Sequence, residues 1–99
     1  MSAYTNEGQQ RILRLINVLA GHEITGIAPA EIARQMDVKA PVVTRDLANL
    51  QEAGYAEHVA DTGRWRLSPQ IVQISIRHGM ALAQAESRLN EIRDRFSRS

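Results

Sequence analysis

The chain has 99 residues, 43% of them apolar and 23% charged, enough for one small core with an appendage and too few for two independent domains. Its 12 basic and 11 acidic residues leave a net charge of +1, so charge alone makes no case for nucleic acid, and only its distribution can. The absence of cysteine excludes a disulfide framework and thiolate zinc sites, and is compatible with a reducing, cytoplasmic setting.

The start, MSAYTNEGQQ, is polar and acidic where a signal peptide is basic and then apolar. No apolar run approaches the roughly 20 residues that cross a bilayer, so no membrane partner is expected. Asn6 followed by Gln9 approximates a capping box, and Ile12, Leu15, Ile16 and Leu19 recur at helical spacing up to Gly21, which predicts a first helix. The glycines between His22 and Ala28 break any helix there and leave room for a short strand at Gly26-Ile27-Ala28. Pro29 suits the first position of a second helix, Pro29 to Met36, with Ile27 stapled against Ile32 and with Ile32, Ala33 and Met36 facing inward.

A turn at Asp37-Val38-Lys39-Ala40 leads into the stretch that organises the chain, Val38 to Gly54. Val43, Leu47 and Leu50 fall at i, i+4 and i+7 on its inner face, and Thr44, Arg45, Ala48 and Asn49 lie on the outer face. Two short helices across so short a turn make a helix-turn-helix. Pro41 belongs in the first turn of the second of these, and Ala40 in front of it has no oxygen with which to cap the free amides. Gly54 supplies the left-handed stop.

Tyr55, Val59, Trp65 and Leu67 flank Asp61-Thr62-Gly63, which predicts two strands joined by a tight turn. Ser68-Pro69 then reads as the N-cap and first residue of a fourth helix reaching toward Phe96, bent or interrupted at Gly79. Leu82, Ala85, Leu89, Ile92 and Phe96 are spaced 3, 4, 3, 4, the seam of a coiled coil. The seam needs a partner: either a second copy, making a homodimer, or the first helix, if the tail folds back. We take the dimer, since otherwise Leu89, Ile92 and Phe96 stay exposed. The division is therefore residues 1–68 as one domain and 69–99 as a helical dimerisation extension.

The run GIAPAEIARQMDVKAPVVTRDLANLQEAGYAEHVADTGRWRLSPQIVQI resembles the N-terminal winged helix-turn-helix DNA-binding domain of IclR-type transcriptional regulators. With the first helix included, the likeness runs from about Arg11 to Ile76. It implies a mainly α fold with a small β hairpin, the wing, and a recognition helix that enters the major groove. Arg45 matches the usual recognition-helix arginine of that family. Ala40-Pro41-Val42 departs from its polar Lys-Ser-Thr-like helix start. Such regulators usually continue into an effector-binding domain that this sequence does not reach, so no small-molecule effector is expected. The small size also suits a phage or mobile-element regulator.

Given that frame, Arg45 reads as a base-edge or phosphate contact, because its guanidinium fork matches the two acceptors of guanine. The alternative is a salt bridge to Asp46 or Glu52. Thr44 and Asn49 share the outer face, Val42 either meets a thymine methyl or simply sits exposed, and the amides around Pro41, with Lys39 beside them, take either a phosphate or water. Arg64 and Arg66 are the wing's candidates for the minor groove or backbone, although Arg66 can instead pair with Glu57. Trp65 reads as core, and Arg11 and Arg14 as either phosphate contacts or a solvated face.

Between Ala28 and Ser68 stand five basic residues (Arg34, Lys39, Arg45, Arg64, Arg66) and six acidic ones (Glu31, Asp37, Asp46, Glu52, Glu57, Asp61). DNA binding therefore requires the bases to converge on one face and the acids to be turned away or neutralised. His22, His58 and His78 lack metal-ligand spacing, and no phosphate loop or nucleophile motif occurs, so no enzyme activity, metal or cofactor is expected. The reading is a homodimeric DNA-binding transcriptional regulator on an inverted repeat of double-stranded DNA. The alternative is a winged helix that docks protein and not DNA.

Overall fold

Asn6 has an extended backbone, and its side-chain oxygen accepts the Gln9 amide at 3.0 Å, opening helix α1, Glu7–Leu19. The computed structural model describes residues 3–97. After α1 come α2 (Pro29–Met36), α3 (Ala40–Glu52), strands β1 (Ala56–Val59) and β2 (Arg64–Leu67), and α4 (Pro69–Ser97). This is the mainly helical fold with one small antiparallel hairpin that the sequence predicts. No helix among the described residues is long and apolar enough to cross a membrane.

Helices α2 and α3 stop for local reasons. Asp37 adopts the left-handed conformation at φ 54°, and the Val38 amide then reaches the Ala33 carbonyl at 3.1 Å, ending α2. At the end of α3, Gly54 sits at φ 86°. The Tyr55 amide bonds the Leu50 carbonyl and the Gly54 amide that of Gln51, both at 2.9 Å, the paired arrangement that closes a helix through a left-handed residue. The chain leaves α3 directly into β1.

The hairpin pairs Ala56 with Leu67 and Val59 with Arg64. Its connection is the four residues 60–63, one longer than Asp61-Thr62-Gly63 alone, with Gly63 at φ 73° and its amide on the Val59 carbonyl at 2.8 Å. The short strand expected at Gly26-Ile27-Ala28 reduces to one bridge, in which Ile27 and Trp65 exchange both backbone hydrogen bonds at 2.8 and 2.9 Å. That bridge straps the wing to the segment before α2. Gly26 makes it possible: it is left-handed at φ 77°, and a Cβ there would meet the Trp65 carbonyl oxygen at 3.0 Å. Gly26→Ala is therefore expected to cost about 2 kcal/mol and to loosen the wing. The emission of Trp65, the only tryptophan, should shift toward that of an exposed indole.

The core lies where α1, α2 and α3 meet under the hairpin. Leu15, Leu19, Ile27, Ile32, Val43, Leu47, Leu50 and Ala56 are buried, with Met36, Val38, Tyr55, Trp65 and Leu67 packed around them. Leu47 is 1% exposed, and truncating such a side chain leaves a cavity that so small a core cannot close. Leu47→Ala should cost about 3 kcal/mol and lower the thermal midpoint by on the order of 15 °C, read by circular dichroism.

Two local expectations need correcting. Gly79 does not interrupt α4, which runs unbroken across it; as a single residue its helical cost, about 1 kcal/mol, is too small to break a helix of this length. Ser68 does precede Pro69, but its hydroxyl donates to the Gly54 carbonyl. It ties the exit of the wing to the end of α3, and among the described residues no α4 amide donates to that hydroxyl, so the side-chain cap is not formed although Ser68 directly precedes α4.

Beyond Ile71 every described residue of α4 is exposed, and none of the helix is buried. Its 29 residues extend about 43 Å, which gives the molecule its long dimension of 66 Å. The tail does not fold back on α1.

Candidate nucleic-acid interface

The outer face of α3 carries Pro41, Thr44, Arg45, Ala48, Asn49 and Glu52, all exposed, while Val43, Asp46, Leu47 and Leu50 are buried on the other side. Arg45 stands mid-helix on that outer face. Neither carboxylate weighed as its partner engages it. Asp46 is turned inward, 4% exposed, and both its oxygens are held by Arg11 of α1, Nε to Oδ2 at 2.6 Å and Nη2 to Oδ1 at 3.0 Å. Glu52 is two turns further on, about 10 Å along the axis, and forms no ion pair among the described residues. The Arg45 guanidinium thus has no acidic partner there.

The hydrogen bond and then the charge of Asp46 hold the Arg11 guanidinium above its ordinary pKa against partial desolvation. Arg11 is thereby spent on structure, which resolves the choice left open between a phosphate contact and a solvated face. Arg14 remains exposed. It borders an open cleft of about 420 Å³ with Glu7, Gln10, Arg11 and Val38, beside the turn that leads into α3.

Thr44 and Asn49 each use one donor locally: the Thr44 hydroxyl donates to the Ala40 carbonyl at 3.1 Å and one N–H of the Asn49 amide to the Arg45 carbonyl at 2.8 Å. Thr44 then offers only its acceptor oxygen outward, suited to a base amino group and not to a phosphate, whereas Asn49 keeps a second N–H as well as its carbonyl oxygen and can meet either. The start of α3 is uncapped by any side chain, with Lys39 as the N-cap. Its amides are fewer than the sequence suggested, because Pro41 has no N–H and Val42 and Val43 both donate to the Lys39 carbonyl, at 3.0 and 3.3 Å. Of the first helical amides, only that of Ala40 keeps a free direction. Val42 itself is half-buried.

In the wing, Arg64 is exposed and its side chain forms no ion pair among the described residues. Arg66 is engaged at both ends of its fork, Nε on Glu57 Oε1 at 2.6 Å and Nη1 on the Ile24 carbonyl at 3.0 Å. Trp65 is half-buried against the core, and His58 covers its ring at 5.0 Å between centroids with the planes tilted by 48°. It pins the wing and is not a free stacking surface.

Three of the six acids of this region are neutralised within the fold. Arg34 pairs with Glu31, whose carboxyl is held down to about 2 by hydrogen bonds from Arg34 and then Gln35. With Asp46 on Arg11 and Glu57 on Arg66, the bases left unpaired between 28 and 68 are Lys39, Arg45 and Arg64. Asp37, Glu52 and Asp61 remain as free acids.

The tail residues Leu82 (53% exposed), Leu89 and Ile92 (47% each) and Phe96 (78%) are open to solvent, and Ala85 is exposed between them. Sequence reading missed a second apolar stripe near the root of α4, Val72, Ile76 and Met80, exposed by 44%, 47% and 61%. It lies on nearly the opposite face of the helix. Its i, i+4, i+8 spacing was the signal that could have revealed it. Val72 also lines an open groove of about 440 Å³ with Ile24, Leu67 and the Glu57–Arg66 pair.

No protein-family model matches the sequence, and no curated protein is significantly similar to it. Among solved structures, an IclR transcriptional regulator from Alicyclobacillus acidocaldarius superposes with a TM-score of 0.68 at 20% identity, over 76% of this chain and 30% of its own. An IclR family regulator from Brucella abortus gives 0.68 at 20% identity, over 79% of this chain and 29% of its own. The fold is a winged helix-turn-helix. Its wing is the β1–β2 hairpin and its helix-turn-helix is α2–α3. The Zalpha domain of Cyprinid Herpesvirus 3 ORF112, described in its binding mode to Z-DNA, shares the winged helix with a TM-score of 0.54 at 20% identity, over 60% of this chain and 93% of its own. This chain therefore spans about a third of the length of the IclR regulators and most of that of the isolated winged helix.

Proposed function

We propose that the chain binds double-stranded DNA as a transcriptional regulator, placing the N-terminal half of α3 in the major groove. The observation that carries this reading is Arg45: exposed in the middle of the outer face, and without the acidic partner that would otherwise account for it. In helix-turn-helix proteins the early residues of the second helix meet base edges while its end stays clear of the groove. On α3 that puts Pro41, Val42, Thr44 and Arg45 toward the bases and Asn49 at the margin, with Glu52 held away from phosphate. Lys39 and the Ala40 amide are positioned for the backbone beside the helix start. In the wing, Arg64 is the reader, and Arg66 contributes by holding the hairpin against the loop at Ile24.

With so few unpaired bases, one copy makes a weak electrostatic footprint. Contacts from Arg14, Lys39 and Arg64 correspond to a salt slope of about −3 per protomer. Two copies joined through Leu82, Ala85, Leu89, Ile92 and Phe96 double it and seek an inverted repeat. The exposure of this seam, along a stretch of α4 in which every described residue beyond Ile71 is open to solvent, supports the homodimer.

Selection from random duplexes by gel shift tests the reading: an enriched, two-fold symmetric motif is expected. The balance of unpaired acids and bases favours a second reading, a winged helix that docks protein, and absence of any shift at low salt would move the assignment there.

A further inference from the structure

Arg11 and Asp46 form the most buried ion pair among the described residues, and their place in the fold is specific. The carboxylate, 4% exposed, sits on α3 directly after Arg45. The guanidinium reaches it from α1, thirty-five residues away in sequence, with two parallel N–H···O bonds of 2.6 and 3.0 Å. A buried pair of this kind is weak evidence for stability, since apolar residues of similar volume often serve as well or better. What apolar packing does not supply is direction: Val43, Leu47 and Leu50 can slide or rotate slightly against α1 and keep their burial. A two-pronged charged hydrogen bond cannot, because both prongs are lost together.

We infer that the Arg11–Asp46 fork is a positioning device that fixes the axial register and rotation of α3, and with them the placement of Arg45. The inference deepens the DNA-binding reading and rests on it. Arg11 and Asp46 are positioning residues: neither faces the outer surface of α3, and they act through the helix that carries Arg45.

The test uses the full chain with the pair replaced by apolar residues, Arg11→Met with Asp46→Leu. Three quantities are measured: thermal midpoint, amide hydrogen exchange along 44–50, and the ratio of affinity for the selected duplex to that for random duplex. The expected result is a midpoint at or above that of the wild type. Exchange in α3 should be faster despite that stability, and the affinity ratio should fall about tenfold, within what one bidentate base contact discriminates. A merely structural pair would move the midpoint and leave the ratio alone. A folded double variant with unchanged α3 exchange and an unchanged ratio overturns the proposal.

If that variant does not fold, Arg11→Lys takes its place, keeping the charge and losing the fork. A lowered ratio with faster α3 exchange then supports the device, and no change in either refutes it. Should the wild-type chain shift no duplex at low salt, the DNA-binding reading fails by itself. The exchange measurement still decides whether the fork holds α3.

Discussion

Arg45→Ala is expected to weaken binding to the selected duplex by roughly 1–3 kcal/mol and to relax preference at a single base pair in each half-site. The size follows from what the side chain lacks as much as from what it is. Its neighbour Asp46 is already held by Arg11 at 2.6 and 3.0 Å, and Glu52 lies too far along the helix. Removing the guanidinium therefore breaks no intramolecular pair, and the fold should be indifferent to the change. A thermal midpoint within a degree or two of the wild type is the accompanying control. Affinity measured on matched duplexes, each altered at one base pair, locates the contact. A uniform loss across all of them would make Arg45 a phosphate contact, and no loss would remove it from the interface.

Leu89→Asp should convert the protein from dimer to monomer in sedimentation and, with it, reduce binding to the full inverted repeat toward that of a half-site. Leu89 is 47% exposed at the centre of the seam, one turn from both Ala85 and Ile92. A charge placed there cannot be buried between helices without a partner. In a monomer the same substitution sits on an exposed stretch of α4 away from the core, so it should leave the melting of the winged domain unchanged. That contrast separates an interface residue from a folding residue. If wild type and variant both sediment as monomers, α4 is not a dimerisation element.

Much of this molecule is legible in its sequence because its elements carry their own local instructions. Asn6 caps α1, Gly54 ends α3, and the period of Val43, Leu47 and Leu50 chooses which face is buried. Local signals failed where the deciding contact is distant. Helical phase already puts Asp46 on the inner face, three residues after Val43 and four before Leu50; what no local signal discloses is the partner, Arg11 of α1, that makes a buried carboxylate possible there. Ser68 looks like a cap from its neighbours, and its actual acceptor, the Gly54 carbonyl, lies fourteen residues back.

The candidate interface divides the same way. The exposure of Arg45 on the outer face of α3 follows from its helical phase alone, whereas its reading as a contact needed the helix-turn-helix around it. That Arg66 is engaged by Glu57 and by the Ile24 carbonyl follows partly from strand register, which pairs Glu57 with Arg66, and partly from a loop whose path no local pattern fixes. The number of usable amides at the start of α3 depends on backbone hydrogen bonds to Lys39 that composition does not disclose.

The central claim is that α3 reads duplex DNA through Arg45. Its most direct test is fluorescence anisotropy of the wild-type chain on the selected duplex across a salt series, with Arg45→Ala alongside. The account predicts binding that falls steeply with salt and a variant that binds the selected and random duplexes almost alike. Absence of binding to any duplex at low salt, or a variant that discriminates as well as the wild type, would contradict it.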